Sequence, residues 1–204
     1  MTTKFLFAGA LIALLAVPAA AQNASEGTPT RIRGTVEKLD GQTLTVKSRD
    51  GQQLAIALAP NFTVAAVVKK SLADIKAGDY VGAASTKGTD GKLHAIEVLI
   101  FPEALRGAAE GERPWDLVPD SLMTNATVAG IASAAQGQAL KVTYKGGESE
   151  IVVAPDTPIV TFGPGDTSLL KPGAAIFIGA LKKPDGSLSA ARVNAEKDGV
   201  KPPM

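Results

Sequence analysis

The stretch Gly111–Leu117, "GERPWDL", holds the only tryptophan of the chain. Trp115 stands two places after Arg113, with Glu112 and Asp116 close by and Arg106 a little upstream. Tryptophan and arginine are the types that anchor interfaces, one by burying a large ring, the other by donating forked hydrogen bonds. Arg106, Glu112, Arg113, Trp115 and Asp116 are therefore the candidate ligand- or partner-binding residues. They admit two readings. One is a binding loop for a partner or an anionic ligand. The other is a clasp, in which Trp115 plugs a barrel end and Arg106 and Arg113 pair with nearby carboxylates. The clasp is the better supported, because only 4% of residues are aromatic and small cores need such a plug.

His94 is the single histidine, and there is no cysteine. A histidine cluster, a cysteine metal site and a thiol nucleophile are thereby excluded within one chain. A Ser-His-Asp arrangement would have to use His94. His94 with Glu97 is the one candidate for a shared metal site or a pH-sensitive contact. Strict alternation puts His94 beside Ile96 and Val98 and sends Glu97 to the opposite face. A structural histidine is the expectation, with no catalytic residues, no metal centre and no cofactor.

The elements that hold these residues follow an export signal. Lys4 precedes the thirteen-residue apolar run Phe5–Val17, then Pro18 and the small residues Ala19, Ala20 and Ala21. That is the pattern of a cleaved signal peptide, residues 1–21. The run is too short for a bilayer, which takes about 20 residues. A periplasmic or secreted location follows, without membrane insertion after cleavage. The chain has 21 basic and 20 acidic residues, so losing Lys4 leaves the two balanced. A neutral chain has no electrostatic pull toward nucleic acid.

The strongest pattern is a duplication. At an offset of 95, Ile75 falls on Leu170, Gly78 on Gly173, Val81 on Ile176, Asp90-Gly91 on Asp185-Gly186, and Val98 on Val193. Upstream, Leu44 and Val46 answer Leu140 and Val142 with one residue of slippage. Within a copy, "RIRGTVEKL" alternates, with Ile32, Gly34 and Val36 on one face. Leu44 and Val46, then Leu54, Ile56 and Leu58, do the same. Asp-Gly pairs mark tight turns between these strands. Ser71 with Asp74 resembles a capping box for one helical turn. A further strand is an open possibility over Phe62–Val68.

So many short strands cannot bury both faces of an open sheet, and closure removes the exposed edges. The expected fold is all-β: two tandem small OB-like barrels, or alternatively SH3-like ones, each with one short helical turn. The expected layout is a signal peptide (1–21), a flexible mature N-terminus (22–30), a first barrel repeat (31–101), an inter-barrel segment (102–124), a second repeat (125–198) and a tail (199–204). Pro102, Gly107, Gly111, Pro114 and Pro119 keep the inter-barrel segment from forming one regular element, though Pro102–Ala109 has room for a helical turn.

The run "LADIKAGDYV", followed by "DGKLHAIEV", resembles the exported bacterial family named "domain of unknown function 5666". The resemblance rests on Leu72, Asp74, Ile75, Gly78, Asp79, Val81, Asp90, Gly91, Leu93, Ala95 and Val98, and copy two departs from it with Ala174 in place of Asp79. It implies small β-barrels, often in tandem, and no substrate, catalytic residue or cofactor.

The functional expectation is an exported, non-enzymatic envelope protein that binds an envelope protein partner or a small ligand through the inter-barrel segment. The alternative is a metal- or ligand-responsive accessory module of an envelope transport system. A hydrolase built on carboxylate pairs among Glu103, Glu110, Glu112 and Asp116 ranks third, since nothing sets two carboxylates at a working separation.

Overall fold

A computed structural model describes residues 27–135 and 137–202. The signal-peptide reading falls on residues 1–21 and lies outside the described residues. The described residues form twelve strands: β1 Thr28–Asp40, β2 Thr43–Ser48, β3 Gln53–Lys70, β4 Tyr80–Lys87, β5 Leu93–Ile100, β6 Gly111–Pro114, β7 Leu122–Ala134, β8 Gly137–Tyr144, β9 Gly147–Val153, β10 Ile159–Pro164, β11 Ala175–Lys182 and β12 Leu188–Ala195. Gly41, Gly51, Gly91 and Gly186 all have φ between 56° and 83°, the left-handed conformation that the Asp-Gly turns require. Short 3-10 turns occupy Leu72–Asp74 and Thr167–Leu169, and a third follows Pro102 at Glu103–Leu105. At the first, the Asp74 carboxylate accepts from both the backbone N–H and the hydroxyl of Ser71, at 2.8 and 2.7 Å. Among the described residues no helix is long and apolar enough to cross a membrane.

Two closed five-stranded barrels result. In the first, β1 pairs β2, β2 pairs β3, β3 pairs β12, β12 pairs β11, and β11 returns to β1. In the second, β7, β8, β9, β5 and β4 close in the same way. Numbered within a repeat, both follow the order 1-2-3-5-4-1 with strands 3 and 5 parallel, the arrangement of an OB-type barrel. Their interiors match: Ile32, Val36, Leu44, Val46, Ile56, Ile176 and Val193 fill one, and Val81, Val98, Ala126, Val128, Leu140, Val142 and Ile151 the other.

The strand pairing does not follow the repeat boundaries. Each barrel takes three strands from one repeat and two from the other. Strand β3 shows how. It runs unbroken for 18 residues, about 60 Å of extended chain. Its first half belongs to barrel one. It stays paired with β12 of that barrel as far as Ala66, and its last residues, from Ala65 to Lys70, pair antiparallel with β10, Val67 lying opposite Phe162. These two residues are equivalent at the offset of 95, so the ribbon is a two-fold, self-complementary contact between the repeats. The chain thus carries β4 and β5 across to barrel two, and β11 and β12 return to barrel one. The Phe62–Val68 stretch is strand, as part of β3, whereas copy two breaks at Pro155 into β9 and β10.

Gly34 has a packing reason. A Cβ there would sit 2.2 Å from the Lys47 carbonyl oxygen, a backbone atom that cannot step aside. Strand β1 therefore crosses β2 at a distance only glycine permits, just before the bulge between Val36 and Lys38.

A third cluster lies outside the barrel interiors. Val67, Ala84, Leu99, Met123 and Val160 are buried, with Phe101, Trp115, Leu117 and Phe162 packed on them. Ala84, Leu99 and Met123 sit on the outer face of barrel two, where the β3–β10 ribbon and the inter-barrel segment cover them.

Candidate functional site

Alternation along β1 turns Ile32 and Val36 inward and aims Arg31 and Arg33 outward. The repeat supplies an internal comparison. Arg31 and Arg33 face Gly179 and Phe177 on β11, while Met123 and Asn125 face Ala84 and Gly82 on β4. At the offset of 95 these partners are equivalent, so barrel two carries Met123 and Asn125 where barrel one carries two arginines. There β6 pairs alongside them on β7 and both are buried, at 1% and 4% exposure. In barrel one the cover is the next piece of chain, Trp115–Leu117.

This strap touches barrel one through arginine. The Arg31 guanidinium carbon lies 3.9 Å from the centre of the Trp115 ring, and those of Arg113 and Arg33 lie at 5.5 and 5.7 Å. A guanidinium over an indole face is attracted by the ring quadrupole. Arg33 donates from both terminal nitrogens to the two Asp116 carboxylate oxygens, at 3.1 and 3.0 Å. Arg31 reaches the same carboxylate at 3.6 Å. From the β2–β3 hairpin, Arg49 donates to the backbone carbonyls of Leu117 and Asp116 at 3.2 and 3.3 Å. The strap closes on itself through Ser121, which is buried: Trp115 N–H donates to the Ser121 carbonyl at 2.7 Å, and Val118 N–H to the Ser121 hydroxyl at 3.3 Å.

Beside the strap, at the mouth of barrel one, is a cleft of about 290 Å³. Arg31, Arg33, Arg49 and Lys182 line it against two carboxylates, Asp50 and Asp116. The excess of two positive charges is local, since the chain as a whole is nearly balanced. Partial burial pushes the Asp116 carboxyl up. The hydrogen bonds and charge of Arg33, aided by the charge of Arg31, outweigh that and hold it below the usual carboxylate range. Burial pulls the Arg113 guanidinium down, and the charge of Arg31 adds to the effect.

The depressed Asp116 has a consequence for acid stability. A carboxylate more acidic folded than unfolded adds stability above its unfolded pKa, about 3.9. That stability is lost as pH falls through the lower folded value. Asp116→Asn is expected to cost about 1 kcal/mol at pH 7, the scale of a half-exposed pair with good geometry. In urea titrations the gap between wild type and variant should narrow steadily below pH 4. A gap that stays constant down to pH 2 would show that Asp116 does not contribute through its charge.

The other predicted residues fall elsewhere. Arg106 pairs with Glu103 within its own turn, at 2.6 and 2.7 Å, as the clasp reading expects. Among the described residues Arg113 pairs with no carboxylate. Its guanidinium donates to the carbonyl of Ala109, a residue in the left-handed region at φ 45°, at 2.7 Å. Glu112 lies against barrel two, accepting from the hydroxyls of Thr124 and Ser149 at 3.0 and 2.9 Å. Trp115 does not plug a barrel end. It packs on the outer face of barrel two and under Arg31 of barrel one.

His94 is 3.0 Å from both Asp90 carboxylate oxygens, at the turn before β5. Its alternation differs from the simple pattern. The β4–β5 pairing slips between Ala84 and Ser85, so β5 bulges at Ile96. Leu93, Ala95, Val98 and Ile100 face the core, and His94 points away from the side that Val98 occupies. Among the described residues no group of three or more His, Asp or Glu side chains is placed to hold a metal ion.

Arg31, Arg33 and Arg49 escape sequence reasoning, because an outward arginine on a strand ordinarily signals only a solvated face. The one available signal is that copy two has no counterpart to Arg31 and Arg33. Comparison with protein-family models, with curated proteins and with solved structures finds no match to the chain.

Proposed function

We propose that this is an exported, non-enzymatic binding protein, and that it recognises an anionic group in the cleft of Arg31, Arg33, Arg49 and Lys182. One observation carries the reading: three guanidinium groups from two elements converge with a lysine on one concave surface. Arginine forks match carboxylate and phosphate oxygens in pairs. A barrel mouth ringed by hairpins is a common place for a small-ligand site. The N-terminal signal pattern supports export, and the resemblance to the exported barrel family named above agrees with it. The non-enzymatic part is supported by how the carboxylates are used: Glu103, Glu112 and Asp116 each hold a structural partner.

The test is calorimetric titration of the mature chain with a panel of small anions and neutral compounds of similar size. At least one anion is expected to bind. Arg49→Gln, at an exposed hairpin, should weaken it roughly tenfold, the usual worth of a charged hydrogen bond. Failure of every anion at millimolar concentration, or equal binding by the variant, would overturn the assignment of this cleft.

A further inference from the structure

The cleft already contains a carboxylate, and the way it is held indicates what could replace it. Asp116 satisfies the two terminal nitrogens of Arg33 and little else. The Arg33 Nε is buried with no hydrogen-bond partner. Arg31 stands at 3.6 Å from the carboxylate, beyond a hydrogen bond. Arg49 spends both terminal nitrogens on uncharged carbonyls at 3.2 and 3.3 Å, whereas a guanidinium bonded to an anion sits at about 2.7–2.9 Å. Two guanidinium groups, Arg33 and Arg31, thus face one carboxylate that has two oxygens and a single charge, and a third, Arg49, lines the same cleft with no anion of its own bonded to it. Lys182 adds a further cation on the same wall.

Asp116 is also able to leave. Its side chain is 47% exposed, against 13% for Arg33. It stands on a strap with no strand pairing of its own, closed at the far end by the left-handed Asp120, φ 56°. Its departure would raise the local excess from two positive charges to three.

We propose that the cleft takes a tetrahedral dianion, a phosphate or sulfate group, and that Asp116 is a resident stand-in which this group displaces. Three or four oxygens with two charges can meet Arg33, Arg31 and Arg49 together, as a carboxylate cannot. Displacement frees the strap beside Trp115, whose ring lies under Arg31, so occupancy of the cleft is communicated to the contact between the barrels. The inference rests on the anion-binding reading and adds the ligand class and the competition.

The experiment uses the mature chain with sulfate, inorganic phosphate and acetate as probes, at constant ionic strength made up with chloride. Binding is read by calorimetry and by the emission of Trp115, the only tryptophan. Wild type should bind sulfate with a Kd of the order of 1 mM, and Asp116→Asn should bind it about fivefold to tenfold more tightly, since the competing charge is gone while the shape is kept. Phosphate should bind better at pH 8, where it is a dianion, than at pH 5.5, while sulfate should not distinguish the two; a preference for one probe at pH 8 separates a phosphate source from a sulfate source. Acetate should bind much more weakly, and wild-type emission should shift on saturation.

If sulfate binds but Asp116→Asn gains nothing and the emission stays unchanged, displacement is overturned while anion binding stands. If acetate equals sulfate, the dianion class is overturned. If no probe binds either protein, the anion-binding reading falls as well. Should Asp116→Asn fail to fold, Asp116→Ser gives the same comparison.

Discussion

Cutting the chain between Pro119 and Asp120 is expected to leave two fragments that fold only together. Pro119 and Asp120 are exposed in the strap, where a break removes no strand pairing. The first fragment keeps β1 to β6 and the second β7 to β12. Neither holds the five strands that close a barrel here. The first retains Leu44, Val46 and Ile56 but loses Ile176, Ile178 and Val193, which complete the same core. The second retains Leu140, Val142 and Ile151 but loses Val81 and Val98. The expected result is that each fragment alone lacks a stable monomeric fold, and that mixing yields a folded one-to-one complex whose stability rises with concentration. Circular dichroism and light scattering would show it. A fragment that folds by itself as a monomer, with β4 and β5 turned back onto its own β1 to β3, would refute the exchanged pairing. The stiffness of β3 argues against that outcome. Folding back requires bending β3, an extended strand of 18 residues, and once the two fragments are mixed six residue pairs with β10 hold its far end straight.

Trp115→Ala is expected to destabilise the intact chain by about 2–3 kcal/mol, somewhat below the usual cost of deleting a fully buried tryptophan because this ring is only partly covered. The ring packs on the cluster of Val67, Ala84, Leu99, Met123 and Val160, so its loss opens a void there. It also removes the surface on which Arg31 stacks, worth about 0.5–1 kcal/mol at a half-exposed site. The indole N–H is buried without a partner, which offsets part of the loss, and Trp115→Phe should recover about half of the stability. Unfolding in urea, followed by circular dichroism, gives the number. A change below 0.5 kcal/mol would mean that the strap lies on the barrels without holding them. Arg106→Ala serves as the contrast: its partner Glu103 is in its own turn, the pair is exposed and screened by solvent, and the unfolding midpoint should stay close to that of wild type.

The barrels themselves are legible in the sequence. Ile32 and Val36, Leu44 and Val46, and Ile56 and Leu58 alternate as strands with one buried side, and the Asp-Gly pairs mark the turns. The pairing partner of β4 and β5 was not legible, and the reason is the duplication itself. Val81 matches Ile176 and Val98 matches Val193, so each pair of closing strands presents nearly the same apolar face to either set of β1 to β3. Local sequence cannot separate two such similar partners. His94 shows a second limit. Its direction depends on a bulge at Ile96, and a bulge is set by how two paired strands accommodate each other.

The site divides along the same line. Arg113, Trp115 and Asp116 could be singled out because copy two has nothing like them, and the structure brings Trp115 and Asp116 to one strap with Arg113 of β6 against the Trp115 ring. Arg106 and Glu112 shared that distinction, yet each is tied to a different neighbour.

Periodicity, turn chemistry and repetition are short-range properties, and from them the chain alone determined an all-β, twice-repeated barrel protein with one unusual tryptophan-bearing segment. Which repeat closes which barrel, and that Arg31, Arg33 and Arg49 meet across a strap some seventy to eighty-five residues away in the chain, was decided only by the tertiary structure. Those contacts depend on where a long, stiff β3 delivers the strands that follow it, and that is a matter of distance in space rather than of residue type.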